Sequence, residues 1–289
     1  MRKIKYSQTD FSVDKLPLNR ASQFGDIFKL EWRTLLLIGL ILFAFFIPEM
    51  ILLIFKNYYL VGLKSIVEEG EYPAYQLVTN LIVDAIQLIT FSIFSLGFAG
   101  ILRIFRHLTW GEQVYFFNDF KKGIRVNFKT AYLVLIFCDL MIATNHLLSF
   151  LSTSYLSSPT NVIVIVIVDF FQFFIFFPAC FYIITMNNLY QLTLKRSIFN
   201  SFVLLIKSYL LTFWVVVIPA GIYLIYLIPS PLITGFATLL YFLLVVPLLL
   251  LAIYLIHVKY FDKLINDKYP EILNKGLRTY QGVNKNGQD

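Results

Sequence analysis

The chain has 289 residues, of which 58% are hydrophobic and only 14% are charged. A soluble domain of this length could not cover so much apolar surface with so few charges, which excludes a water-soluble globular protein. The net charge of +7 does not indicate a nucleic-acid partner, because the basic residues flank apolar segments and form no basic domain. We therefore expect an integral membrane protein embedded in a lipid bilayer.

The predicted elements begin with a polar, basic N-terminal segment, residues 1–34. Six apolar segments follow, each with about the 20 residues that a helix needs to cross a hydrocarbon core of about 30 Å. Their continuous apolar character is typical of membrane helices, whereas barrel strands alternate and are half as long. The sequence predicts an all-α bundle of six transmembrane helices, at 35–55, 76–101, 131–151, 161–186, 209–228 and 234–257, followed by a tail at 258–289.

Lysine and arginine are distributed unequally between the two ends of these spans. The N-terminal segment, the 102–130 and 187–208 connections and the tail together carry 22 of the 24 basic residues, and no Lys or Arg lies inside a predicted span. The positive-inside rule then places both termini and the 102–130 connection in the cytoplasm, as expected for a multi-pass protein of the cell membrane. Prolines in four spans are expected to bend their helices; they are Pro48, Pro178, Pro219 and Pro247.

The 102–130 connection is both aromatic and basic. Thr109 and Glu112 have the spacing of a capping box, which predicts a new helix from Trp110, and Asn127 is suited to cap the third span. In between, aromatic and basic residues occupy opposite sides of a helix, which predicts an amphipathic cytoplasmic helix in the membrane plane. A helix that docks on a partner protein is the alternative. The aromatic side is Phe116, Phe117, Phe120 and Ile124, and the basic side is Lys121, Lys122 and Arg125.

A set of residues in this connection, and just before it, forms a recognisable pattern. It consists of the small residues Gly97, Ala99 and Gly100, the pair Gly111–Glu112, and the pairs Asp119–Phe120 and Asn127–Phe128. This pattern resembles the YesL-like family of bacterial multi-span membrane proteins, whose function is unknown. The resemblance implies a helical membrane protein often encoded beside carbohydrate-uptake transporters and glycan-degrading enzymes. It implies no catalytic residues.

Four acidic residues lie inside the predicted spans, where an ionised carboxylate is costly and should face the bundle interior or a wet cavity. Other polar residues share their helix faces. One interpretation is an outward-open cavity that binds a hydroxyl-rich or cationic solute; the other is a set of interhelical hydrogen bonds that hold the bundle together. The acids are Glu49, Asp84, Asp139 and Asp169, and the residues that share their faces are Asn80, Gln87, His146 and Gln172.

Cys138 and Cys180 lie in separate spans and are expected to be small buried hydrophobic residues, with no disulfide to infer. The sequence contains no nucleophile motif, phosphate loop or metal-ligand spacing, so we expect no enzyme, cofactor or metal. Two functional hypotheses remain. The first is a non-enzymatic accessory or assembly factor for carbohydrate uptake, whose partner would be the permease of a sugar ABC transporter. The second is a solute transporter that uses the intramembrane carboxylates.

Overall fold

A computed structural model of the protein describes residues 16–155, 159–190, 192–228, 230–269 and 272–279, and all regular structure within these ranges is helical. Ten α-helices make up this part of the chain. They are α1 (Arg20–Leu30), α2 (Trp32–Lys64), α3 (Tyr72–Trp110), α4 (Phe116–Tyr155), α5 (Pro159–Phe171), α6 (Phe177–Tyr190), α7 (Leu194–Thr212), α8 (Val217–Tyr226), α9 (Pro231–Leu240) and α10 (Val246–Leu264).

Five helical stretches are long and apolar enough to cross a membrane, which confirms the prediction of an α-helical membrane protein. They cover the first four predicted spans and the last one, as Trp32–Lys64, Tyr72–Trp110, Phe116–Ser152, Ile163–Tyr190 and Pro231–Leu264. The fifth predicted span, 209–228, is broken into the end of α7, a 3₁₀ turn at Phe213–Val216 and the ten-residue α8. Pro219 contributes to this break, because it cannot donate a backbone hydrogen bond to the preceding turn.

Two further segments depart from α-helical geometry next to a proline. The π-helical turns are Gln172–Phe176 and Tyr241–Val245, and each ends two residues before a proline, Pro178 and Pro247 respectively. Proline lacks an amide hydrogen and its ring clashes with the carbonyl one turn earlier, so the preceding turn widens. Helix α2, by contrast, continues through Pro48.

The connection between the second and third spans differs from the prediction. Helix α3 continues through Thr109 and ends at Gly111, whose φ of 65° stops the helix while the amide of Glu112 donates to the carbonyl of His107. The predicted capping box of Thr109 and Glu112 was therefore wrong. Helix α4 starts at Phe116, not at Trp110, and runs without a break past the predicted cap at Asn127. Tertiary packing explains this, because Asn127 is buried against α3 and α6 and is not a helix end.

Helices α3 and α4 form the longest antiparallel pair in the structure. They have 39 and 40 residues, so each is about 60 Å long and extends well beyond a hydrocarbon core of about 30 Å. We call residues 97–128 the hairpin tip. The core lies between α2, α3, α4, α6 and α10, and it is filled by apolar side chains that include Ile38, Leu42, Ile101, Ile104 and Leu251.

Candidate intramembrane binding site

Glu49 is the first of three acidic side chains, one each on α2, α3 and α4, that interact electrostatically with one another. It follows Pro48 in the apolar helix α2 and is only 2% exposed. Its carboxylate accepts hydrogen bonds from the amide of Gln87 and the hydroxyl of Thr90, which project from α3 three residues apart. The helical spacing of these two donors brings both to the same carboxylate.

Asp84 lies on the same side of α3, one turn before Gln87. Its Oδ2 is 2.9 Å from Nδ1 of His146, which projects from α4. A carboxylate only accepts hydrogen bonds, so this geometry requires a proton on Nδ1 of the imidazole. Asp84 therefore joins α3 to α4 through one oxygen and leaves its other oxygen, Oδ1, without a partner among the described residues.

Asp139 completes this group from α4, seven residues before His146. It is 3% exposed, and it interacts electrostatically with both Asp84 and Glu49. Its Oδ1 and the Oδ1 of Asn80 also lack a hydrogen-bond partner within the described part of the chain. Buried polar atoms are rarely left unpaired, and this group contains three of the unpaired acceptors among the described residues.

Lys56 belongs to the same group, although the sequence predicted it to follow the first span. That span was predicted to end at residue 55, but the helix α2 continues to Lys64 and carries Lys56 on it. Lys56 is half-buried and interacts electrostatically with Asp84 and Glu49. Its spacing of seven residues from Glu49, two helical turns on one face, was the signal that could have revealed it. We call this group the carboxylate cluster: Glu49, Lys56, Asn80, Asp84, Gln87, Thr90, Asp139 and His146.

Asp169 and Gln172 form a second group with Asn145, which no hydrogen bond joins to the carboxylate cluster among the described residues. The amide nitrogen of Asn145 donates to Asp169 at 2.9 Å and to Gln172 at 2.6 Å. Gln172 in turn donates to the backbone carbonyl of Met141 at 3.1 Å. This amide cluster links α4 to α5 and to the π-helical turn that follows α5, and each donor in it has an acceptor. The predicted single cavity thus corresponds to two separate polar groups in the structure.

The residues of the family resemblance come together at the hairpin tip. Gly97 lies against the ring of Phe45 and Gly100 against the ring of Phe120, with no room for a side chain. Asn127 donates to the carbonyl of Ala99. The other members cap or brace the tip: Gly111 ends α3, Asp119 accepts from the amide of Tyr115 and faces Arg103, and Phe128 stacks on Tyr132.

Glu112 attaches the C-terminal tail to the hairpin tip. Its carboxylate accepts from Lys275 at 2.7 Å, and Nδ1 of His107 lies 2.6 Å from the other oxygen. Burial is the largest single influence and would raise the pKa of this carboxyl, but the hydrogen bond and charge of Lys275 together with the charges of His107 and Arg106 lower the pKa below its ordinary value. Lys275 also lies over the ring of Trp110, 4.2 Å from its centroid.

Arg20 attaches the N-terminal helix to the same place. Its guanidinium pairs with Asp262 of α10 at 2.7 Å and donates to the carbonyls of Thr109 and Lys275. Gln23 donates to the carbonyl of Thr109 as well, at 2.7 Å. The end of α3 is thereby held by α1, α10 and the tail. Each of these charges has an opposite partner.

Within the part of the chain that the structure describes, no three His, Cys, Asp or Glu side chains lie close enough together to hold a metal ion. Comparison with protein-family models, with curated proteins and with solved structures found no match to this chain.

Proposed function

We propose that this protein is a cation-coupled solute transporter whose coupling ion, a proton, binds at the carboxylate cluster. One observation carries the proposal. Three buried acceptor atoms, Oδ1 of Asn80, Oδ1 of Asp84 and Oδ1 of Asp139, have no donor among the described residues. Protonation of Asp84 or Asp139 would supply a hydrogen-bond donor to these unpaired acceptors, so the site favours a proton.

The charge balance of the cluster supports the same occupant. Three carboxylates face one lysine and one histidine, and the lysine lies near the end of the cluster on α2. Burying three carboxylates with fewer cations is costly unless at least one of them binds a proton or a cation.

The proposed topology has six membrane crossings with both termini in the cytoplasm. The distribution of Lys and Arg supports it, and the fifth crossing would consist of the end of α7, the 3₁₀ turn and α8. The first turns of α4 would lie at the inner surface of the cell membrane. Single cysteines placed at Lys121 and Glu69 in a chain without its natural cysteines should react with an impermeant maleimide from opposite sides. Labelling from the same side would overturn this topology.

Proton movement tests the transport proposal directly. We expect the purified chain, in liposomes that contain a trapped pH-sensitive dye, to pass protons when a potassium–valinomycin potential is imposed. Asp139→Asn should reduce this flux about tenfold or more, because the amide cannot bind or release the proton. Asp169→Asn is the matched control, since its carboxylate lies in the amide cluster, and its flux should stay near that of the wild type.

Two results would contradict the transport proposal. One is the absence of any flux above that of empty liposomes in chains that are folded and inserted. The other is an equal loss of flux in Asp139→Asn and Asp169→Asn, which would indicate general damage to the bundle and not a site.

The second candidate function is an accessory factor for a carbohydrate-uptake permease, which follows from the resemblance to YesL-like proteins. The observation that favours it is an exposed aromatic and basic face at the hairpin tip: Tyr115, Phe117, Lys121, Lys122 and Arg125. Such a face suits a partner helix or a membrane surface. Co-purification of a sugar permease in mild detergent, lost in Phe117→Ala with Lys121→Glu, would support this candidate. Retention of the permease by that variant would contradict it.

A further inference from the structure

The two cysteines of this chain are 42 positions apart, and they lie side by side. Cys138 projects from α4 and Cys180 from α6, and their Sγ atoms are 4.0 Å apart. They are the only cysteines in the sequence. The sequence reasoning treated them as two unrelated apolar residues, because positions in separate spans give no sign of contact.

The pair occupies a defined place in the core. Cys180 is buried and Cys138 is half-buried, and both pack against the main apolar core between α4 and α6. Neither is in a disulfide. Two thiols at this distance need only rotations about their side-chain bonds and a small approach of the helices to reach a bonded S–S distance of about 2 Å.

We propose that Cys138 and Cys180 form a reversible, redox-sensitive cross-link between α4 and α6 inside the membrane. In the reaction both S–H bonds break and one S–S bond forms. The two electrons and two protons pass to a membrane-soluble hydrogen acceptor of the quinone or azo class, which is reduced to its dihydro form. A dithiol that enters the membrane returns both cysteines to the thiol state.

The position of the pair gives the cross-link a mechanical consequence. Cys138 is the residue next to Asp139 of the carboxylate cluster, and α6 begins directly after the π-helical turn Gln172–Phe176. The cross-link would therefore join the α4 side of the carboxylate cluster to α6, the helix that follows the π-helical turn. Formation of the disulfide does not depend on the transport proposal, so failure of one leaves the other standing.

Oxidation of the full chain in phospholipid vesicles tests the cross-link. After treatment with diamide, a membrane-permeant azo compound, and alkylation of the remaining thiols, mass spectrometry of the digest should show one peptide pair joined through Cys138 and Cys180. Subsequent treatment with dithiothreitol should release the pair. The wild-type chain is used, so no substitution can obscure the result by unfolding the protein.

A relocated pair provides the matched control. In Cys138→Ser with Leu140→Cys, the second thiol moves to a strongly exposed position on α4 while the number of cysteines is unchanged. The wild type should cross-link within the chain about tenfold faster than this variant, because the native pair is held in proximity. Free thiols after diamide, disulfides only between different chains, or equal rates for the two pairs would each overturn the proposal.

Discussion

The carboxylate cluster and the hairpin tip contain similar side chains but balance them differently. At the hairpin tip and its attachments, opposite charges form ion pairs: Arg20 with Asp262, Lys275 with Glu112, and Arg103 with Asp119. In the carboxylate cluster acceptors outnumber donors, and Oδ1 of Asp139 stays unpaired within the described residues. Paired charges hold elements together, whereas unpaired acceptors in an apolar environment raise the free energy of the folded state, and a bound cation lowers it. The two regions thus differ in charge balance, because the acids at the tip pair with bases whereas three carboxylates of the cluster share one lysine and one histidine.

The largest effect should come from removing Arg20, which attaches α1 to α10 and to the hairpin tip. Arg20→Met leaves the buried carboxylate of Asp262 without its cation and the carbonyl of Thr109 with one donor fewer. We expect the free energy of unfolding to fall by about 3–5 kcal/mol, the usual cost of orphaning one partner of a buried pair. Thermal unfolding in detergent, followed by circular dichroism, measures it.

The double variant Arg20→Met with Asp262→Leu controls for the charge itself. It removes both ions, so it should recover a large part of the lost stability. If the double variant is no more stable than Arg20→Met, the ion pair is not what holds α1 against α10.

The second-largest effect should come from the close approach of α3 and α4 within the hairpin tip. A Cβ at Gly123 would meet the backbone carbonyl oxygen of Gly100, which cannot move aside as a side chain could. Gly123→Ala should therefore lower the free energy of unfolding by about 1–3 kcal/mol. Gly25→Ala is the control, because nothing lies within 4 Å of its added Cβ. Equal stability of the two variants would show that the helices separate easily here.

Much of the membrane architecture could be predicted from the sequence, because hydropathy is a local property. Five of the six predicted spans coincide with long apolar helices. The common face of Asn80, Asp84 and Gln87 was also predictable, since it depends only on helical periodicity within one segment. The residues of other helices that contact this face could not be predicted. The contact of Asp84 with His146 depends on how α3 packs against α4.

The errors arose where tertiary packing overrides local signals. Asn127 has the residue type of a helix cap, but its amide donates to Ala99 and Asn188, so the helix passes through it. Lys56 looked like a residue of a loop because hydropathy falls there, although α2 continues to Lys64. The contact of Cys138 with Cys180, like the docking of Lys275 on Glu112, joins distant segments and left no sequence signal.

A smaller effect should distinguish the two polar groups within the membrane. Asp139→Leu removes an acceptor that has no partner in the described structure, so we expect the free energy of unfolding to rise by about 1 kcal/mol. Asp169→Leu removes an acceptor to which Asn145 donates, so the free energy of unfolding should fall by about 1 kcal/mol. Thermal unfolding of both variants under the same conditions gives the comparison. A loss of stability in both would make the carboxylate cluster as structural as the amide cluster.

The smallest effect should be the pH dependence of the tail's attachment at Glu112. Burial would raise the pKa of this carboxyl, but the hydrogen bond and charge of Lys275, with smaller contributions from His107 and Arg106, lower it in the folded protein from an ordinary value of 4.5. The unfolded chain therefore binds the proton more readily than the folded one, and the stabilisation is present above pH 4.5 and is lost as the pH falls through the folded-state pKa. Because the pair is partly exposed, it contributes on the order of 0.5 kcal/mol.

The stability difference between the wild type and Glu112→Gln measures this contribution as a function of pH. The wild type should be more stable at pH 7, and the difference should shrink as the pH falls below 4.5. Lys275→Met should abolish most of the pH dependence, because it removes the hydrogen bond and the charge that lower the pKa. A difference that stays constant with pH would mean that the tail is held by Trp110 and Arg20, and that the ion pair at the tip contributes no more than its packing.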